Sequence, residues 1–307
     1  MAPRGPWADR LLFLFLTVVW GLNFVFIRNG LADSGAFWLA LLRGGVGTAA
    51  TAVVVTALGS WRRLDARGRR DALLLGLPNT TAFYGLLFVA AQSVLPGLAA
   101  VLTYTFPLWV AVMSPSLLGH RLTRWHYLAV GIGFGGVALI AEVWSTLGRS
   151  VSLLAIVELL GAALAWAVGT VLFQRRFHRT EMLEANAFQL IGGSVGLLVL
   201  VLLFAPLSPP TLSVPLGISL AWLGILGTAA AYTIWFTLLG RTRAATLSAY
   251  VFLVPVVALI ASAFLYSERL DPIQLVGVAL VFVSIYGIAR TPDARGTLEE
   301  PMPVTPE

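Results

Sequence analysis

Cysteine and lysine are both missing from these 307 residues, and charge of either sign is scarce. Without cysteine there can be no disulfide and no thiolate metal site. Charged residues make up 11% of the chain, where a soluble protein carries about 25%. So few cannot cover a water-exposed surface of this size, so lipid must be the solvent for most of it. No polar stretch is long enough to form a separate soluble domain. No cluster of residues has metal-ligand spacing, and no cofactor motif stands in a workable context.

What is present is apolar: 58% of the residues are hydrophobic. About 20 apolar residues are needed to cross a bilayer core of roughly 30 Å. The uncharged stretches supply ten such segments. They fall at residues 11–27, 36–60, two within 72–120, 125–141, 151–174, two within 185–240, 244–267 and 272–289. The first opens behind Arg4 and Arg10 but has no small-residue cleavage site after it, so it reads as a span rather than a signal peptide. The last 17 residues, 291–307, are rich in Pro, Thr and Glu and are expected to lack fixed structure. Residues 1–10 form a short cytoplasmic start.

All 20 basic residues are Arg, and their placement gives the orientation. With the N-terminus inside, 16 fall in cytoplasmic segments and three (Arg28, Arg149, Arg269) outside, while Arg43 lies within the second span. Cytoplasmic loops retain positive charge, so both termini are expected inside. The net charge of +6 therefore reports membrane orientation, and a nucleic-acid partner drops out.

The two halves resemble each other. Gly76, Thr80 and Tyr84 recur as Gly224, Thr228 and Tyr232 at a constant offset of 148, which Phe88 and Phe236, Pro107 and Pro255, and Arg121 and Arg269 also keep. Trp20-Gly21 matches Trp166-Ala167 at offset 146. Five spans per half is an odd number, so the second half enters the membrane from the opposite side. The expected fold is an all-α integral membrane protein of ten transmembrane helices, built as two inverted five-helix repeats (residues 11–144 and 151–290), N-in and C-in. Inverted repeats of this kind suit alternating access around a midplane site.

Trp20-Gly21-Leu22-Asn23-Phe24 in the first span, a Pro in the fourth and ninth, and Ser267-Glu268-Arg269-Leu270 after the ninth are similar to the EamA family of the drug/metabolite transporter superfamily. The resemblance covers roughly residues 11–290. It implies a multi-pass protein of the bacterial inner membrane that exports amino acids or related metabolites, most like the exporters of aromatic and neutral amino acids. One departure is His120, where the family usually has Glu. Carriers of nucleotide sugars or of quaternary-ammonium compounds and drugs, from the same superfamily, are the alternative. An intramembrane enzyme lacks paired catalytic residues, and a receptor-like scaffold leaves the repeat unexplained.

Polar and aromatic residues at depth nominate the site, because burying them is costly unless function requires it. Arg43 reads as an anchor for a substrate carboxylate, or else as a snorkelling or structurally paired Arg, with Glu158 the candidate partner. Glu158 reads as a proton carrier or as a side chain reaching the interface. Trp20, Trp109, Trp166 and Trp235 lie deeper than an interfacial belt of Trp7, Trp38, Trp61, Trp125, Trp144 and Trp222. Tyr84 and Tyr232, with Trp20, Trp166, Asn79 and Tyr104, are expected to line a central cavity suited to an amphipathic solute. Pro107 and Pro255 interrupt the helical ladder at equivalent points and are expected to act as hinges. Gly192-Gly193-Ser194-Val195-Gly196 matches a hydrolase elbow and Gly131-Ile132-Gly133-Phe134-Gly135-Gly136 a dinucleotide loop. Both lie within spans and read as helix-packing seams.

Overall fold

The computed structural model describes residues 6–61, 63–94, 96–118, 123–140, 153–206, 209–242, 244–251, 253–266 and 272–290. His120, Trp144, the segment around Glu268 and the C-terminal tail lie outside them. All regular structure among the described residues is helical. In chain order the helices are α1 (Pro6–Leu31), α2 (Ala36–Ala57), α3 (Ala66–Ala90), α4 (Pro96–Thr103), α5 (Phe106–Leu118) and α6 (Arg124–Ile140). Then follow α7 (Leu153–Arg176), α8 (Met182–Phe204), α9 (Val214–Leu239), α10 (Ala244–Tyr250), α11 (Leu253–Tyr266) and α12 (Pro272–Arg290). Six of these, α1, α2, α3, α7, α8 and α9, are long and apolar enough to cross a membrane.

Local chemistry explains the helix ends. The Asp65 carboxylate accepts the Gly68 N–H at 2.7 Å to cap α3, and the Ser213 hydroxyl accepts the Leu216 N–H at 3.1 Å to cap α9. At the end of α2, Gly59 takes φ +58° while Ser60 N–H bonds Val55 O and Gly59 N–H bonds Thr56 O, both at 3.0 Å. That left-handed residue favours glycine. Glu184, fully buried at the start of α8, holds the α2–α3 connection and the start of α3 through the Leu64 N–H (2.9 Å) and Arg69 Nε (3.2 Å).

Interruptions recur at the repeat spacing. α3 and α9 each contain a π-helical segment, Leu77–Ala82 and Trp222–Ala230. In the second, the wide turn lets the Thr228 hydroxyl donate to Leu223 O, five residues back, at 2.8 Å. Turns of this kind mark functional sites. Breaks separate α4 from α5 just before Pro107, and α10 from α11 just before Pro255. Proline removes one donor from the ladder and its ring crowds the preceding turn, so the chain breaks there.

The packing is reciprocal between halves. α2 packs on the π segment of α9, and α8 on that of α3; α1 lies against α11, and α7 against α5; α6 and α12 pair with each other. Glycines permit the closest crossings. A Cβ on Gly76 would stand 2.2 Å from Gln189 O, and one on Gly192 2.1 Å from Leu73 O. Gly193 and Gly196 likewise receive Thr80 and Thr81, and Ser194 Oγ pairs with Thr48 Oγ1 at 3.0 Å. The elbow-like sequence is thus a packing seam. In the other glycine run Gly136 is a seam, meeting Gly277 O, while Gly131 and Gly135 face open space.

Large aliphatic residues such as Val195, Leu198, Val199 and Leu202 point outward from α8, as lipid contact requires. Aromatic residues gather inside. Two expectations about tryptophan need correction. Trp109 is 38% exposed on the outside of α5 and is no part of the interior. Trp222 lies within α9 rather than at a span end, stacked on Phe26 at 4.6 Å between centroids.

Candidate functional site

The interior is an aromatic cluster fed by four helices. Trp20 from α1 and Trp166 from α7, equivalent residues of the two halves, meet edge-on with centroids 6.0 Å apart and planes at 89°. Trp235 from α9 packs on both. Tyr232 lies 5.0 Å from Trp166 and 6.3 Å from Tyr84, its counterpart on α3. Edge-on and tilted ring pairs of this kind are each worth about 0.5–1.5 kcal/mol beyond area burial. They give the cluster a fixed shape.

Arg43 is the charged member, 2% exposed. Its Nε donates to Thr228 Oγ1 at 3.0 Å and its Nη2 to Gly227 O at 3.3 Å. Its guanidinium carbon sits 4.2 Å above the Tyr84 ring, a cation–π distance. Tyr84 in turn hydrogen-bonds Thr228 Oγ1 at 3.0 Å. The Thr228 hydroxyl spends its own proton on Leu223 O, so it serves Arg43 and Tyr84 as an acceptor. Trp20 Nε1 also donates to Gly227 O at 3.2 Å. The π segment of α9 is therefore the platform for Arg43. The pairing with Glu158 does not occur: Glu158 lies in an outward-facing apolar groove beside Phe37, Leu200 and Phe204. No carboxylate is within ion-pair distance of Arg43 among the described residues. Only two of its five donors are used, and it opens on a cavity.

That cavity is lined by Trp20, Arg43, Tyr104, Trp166 and Tyr232, five of the seven candidate residues. Its volume is about 30 Å³ measured at the centre of a water-sized sphere, room for a water or two. Tyr84 and Asn79 are not on its wall. Tyr84 stands behind Arg43 as its support. Asn79 belongs to a buried polar chain, donating from Nδ2 to Gln189 Oε1 at 2.7 Å while Gln189 Nε2 donates to Asn186 Oδ1 at 3.0 Å. Its carbonyl accepts a long 3.4 Å bond from the Tyr232 hydroxyl. Pro107 and Pro255 are buried at the two breaks. Toward the ends of α1 and α3, Arg28, Leu31, Gln92 and Ser93 border a separate, wider and more open pocket of about 520 Å³ by the same measure.

The wall also holds residues that sequence reasoning did not single out as site candidates: Asn23, Phe24, Thr103 and Phe106 among them. A signal existed for two. Asn23 follows Trp20 by three residues and shares its helix face. Thr103 precedes Pro107 by four, so the proline leaves its carbonyl without a helical donor. Among the described residues no group of three or more His, Asp or Glu could hold a metal ion.

The fold and site define a multi-pass helical membrane protein with a central aromatic cavity. The chain belongs to the EamA-like transporter family, which matches it twice, over residues 10–141 and 153–290. It is 30% identical over 291 residues to a protein of Escherichia coli named "Probable amino-acid metabolite efflux pump", covering 91% of this chain and 93% of that one. It is 29% identical to a "Probable terminal-alkyne amino-acid exporter" of Streptantibioticus cattleyicolor, covering 94% of each. An uncharacterized transporter of Bacillus subtilis is 29% identical over 276 residues, 90% of this chain and 89% of the relative. A protein of known crystal structure superposes with a TM-score of 0.76 at 17% identity, over 92% of this chain and 98% of that one. That likeness speaks to fold alone.

Proposed function

We propose that this transporter exports aromatic and other neutral amino acids, or closely related metabolites, across a bacterial inner membrane by alternating access. The observation that carries the reading is Arg43: a buried cation with unused donors and no carboxylate partner among the described residues, set in the wall of an aromatic cavity. Burying an unpaired charge costs several kcal/mol, and a substrate carboxylate would supply the missing counter-ion. The surrounding rings would take the apolar side chain. The cavity as it stands is far smaller than any amino acid, so it must widen to load. Names of the relatives support efflux of amino-acid metabolites as the direction and substrate class.

The proposed topology is ten crossings, five plus five and inverted, with both termini cytoplasmic. The recurring π segments, the paired breaks and the reciprocal contacts between halves support it, as does the arginine distribution. Opening and closing would then exchange the conformations of the two halves, with Pro107 and Pro255 as hinges. No Asp or Glu lines the cavity, so flux is expected to depend weakly on a proton gradient.

The test is uptake into proteoliposomes across amino acids, nucleosides and cationic dyes. Apolar amino acids should exchange across the membrane in both directions. If cationic dyes are carried and amino acids are not, the reading is wrong.

A further inference from the structure

The cavity has one cationic anchor, and the rest of its polar lining is neutral oxygen and amide. Two of those oxygens have no partner. Thr103 Oγ1 is buried, in a residue 1% exposed, and makes no hydrogen bond. A threonine hydroxyl inside a helix ordinarily returns its proton to the carbonyl four residues earlier, and here it does not. Asn23 Oδ1, in a residue 5% exposed and lodged against Gly227, is equally without a donor. A third acceptor comes from the break in the fourth span. The carbonyl of Thr103 would accept the N–H of residue 107, and residue 107 is proline. α4 also ends at Thr103, so the negative end of its dipole lies at this position.

Unpaired buried acceptors are costly, and two of them, with the carbonyl that Pro107 deprives of its helical donor, belong to residues of the wall that carries Arg43. An α-amino acid has the complementary pattern: a carboxylate for the guanidinium, and an ammonium with three N–H donors and no acceptor. We propose that Thr103, through its hydroxyl and its proline-freed carbonyl, together with Asn23, reads the free α-ammonium of the substrate. The inference rests on the carboxylate-anchoring role given to Arg43 above. The site then selects zwitterions, and rejects carboxylates that lack the amino group or carry it acylated. The acceptors are neutral, so the ammonium is bound by desolvated oxygens and a helix dipole, with no counter-charge. A zwitterion is neutral overall, so the loaded site keeps one positive charge: the carboxylate offsets Arg43 and the ammonium carries the remainder.

The test uses the full chain purified in detergent and matched ligand pairs. These are L-phenylalanine against 3-phenylpropanoate, L-leucine against 4-methylpentanoate, and L-tryptophan against 3-(indol-3-yl)propanoate. Each deaminated acid keeps the carboxylate and the side chain. Binding is read from ligand-induced thermal stabilisation over a concentration series. Wild type should prefer the amino acid of at least one pair by about tenfold to a hundredfold, the value of a hydrogen bond to a charged group. Thr103→Val, which keeps shape and removes the hydroxyl, should shrink that ratio by about tenfold by weakening the amino acid alone. Thr103→Ser should keep the ratio. Asn23→Leu should act in the same direction as Thr103→Val. If wild type binds both members of every pair equally, the ammonium-reading role is wrong while the carboxylate anchor stands. A Thr103→Val variant that weakens both members alike, or leaves the ratio unchanged, also overturns it. If wild type binds neither member of any pair, the export reading falls and this inference falls with it.

Discussion

Replacing Arg43 with Met separates a substrate anchor from a structural arginine, because the two roles predict opposite effects on the empty protein. In the empty protein the change removes two hydrogen bonds from a charged donor, each worth about 1.5–3 kcal/mol when measured by deletion. It also removes a cation–π contact of about 2 kcal/mol. Against this stands the desolvation of the guanidinium, several kcal/mol for a buried ion with no counter-charge. The acceptors left behind are not orphaned. Thr228 Oγ1 keeps Tyr84 and Leu223, and Gly227 O keeps Trp20. Met also fills most of the volume of the arginine stem. The sum is close to zero, so the empty variant should melt within a few degrees of wild type or higher. With substrate the balance differs. A charge-assisted pair of bonds to a carboxylate, about 3 kcal/mol, is lost outright, which is roughly a hundredfold in affinity. Thermal melts with and without an amino acid that stabilises wild type provide the assay. A variant that melts far below wild type, yet is still stabilised by that amino acid as strongly, would refute the anchor and leave Arg43 a structural residue.

Three further outcomes follow from the geometry. Gly76→Ala should destabilise by about 2 kcal/mol or more through overpacking, because its Cβ would meet the α8 backbone at 2.2 Å. Gly131→Ala, with nothing within 4 Å, should instead gain up to about 1 kcal/mol of helix propensity, both read by thermal melting of the purified protein. Tyr84 and Tyr232 are 0% and 1% exposed, so Ala at either costs about 3–5 kcal/mol in cavity formation and Phe is the informative replacement. Tyr232→Phe should transport nearly as wild type, since its hydroxyl makes a long 3.4 Å bond to Asn79 O, whereas Tyr84→Phe should lower transport about tenfold by loosening the Thr228 platform. Pro107→Ala restores a donor for the Thr103 carbonyl and should lower the transport rate while leaving the melting temperature equal or higher; normal flux would show that this proline is not needed as a hinge.

Much of the fold was legible because it depends on composition along the chain. The apolar segments, the repeat offset and the prolines at equivalent positions each leave a local mark in the sequence. The breaks before Pro107 and Pro255 occur where the missing N–H requires them. The π segments are less legible. Leu77–Ala82 carries one mark, Pro78 in the middle of α3, whose missing N–H disturbs the ladder, whereas Trp222–Ala230 has no proline, and both wide turns also depend on contacts from elsewhere. Asn79 is tied to Gln189, 110 positions away, and Thr228 to Arg43, 185 away. A reading made span by span has no access to bonds of that reach.

The same limit explains how the site was half seen. Helical spacing put Thr80, Tyr84 and Phe88 on one face, and all three are fully buried. It could not say whether that face meets the cavity or a side chain in front of it. Arg43 enters from α2 and takes the place in front of Tyr84, which turns the tyrosine from a wall into a support. Its partner was misjudged for a related reason. Charge alone pointed to Glu158, the nearest acid by depth, but the helix faces carry the two groups to opposite sides of the α3 wall. One faces the interior and the other the lipid. The carbonyl and hydroxyl acceptors that hold Arg43 are neutral, and a search for opposite charges cannot find them. Neutral acceptors fit a carrier better than a carboxylate would. A permanent ion pair would already satisfy the arginine and would have to be broken each time a substrate bound. Held by hydroxyl and carbonyl, Arg43 is positioned but not neutralised, and its charge remains available to the solute.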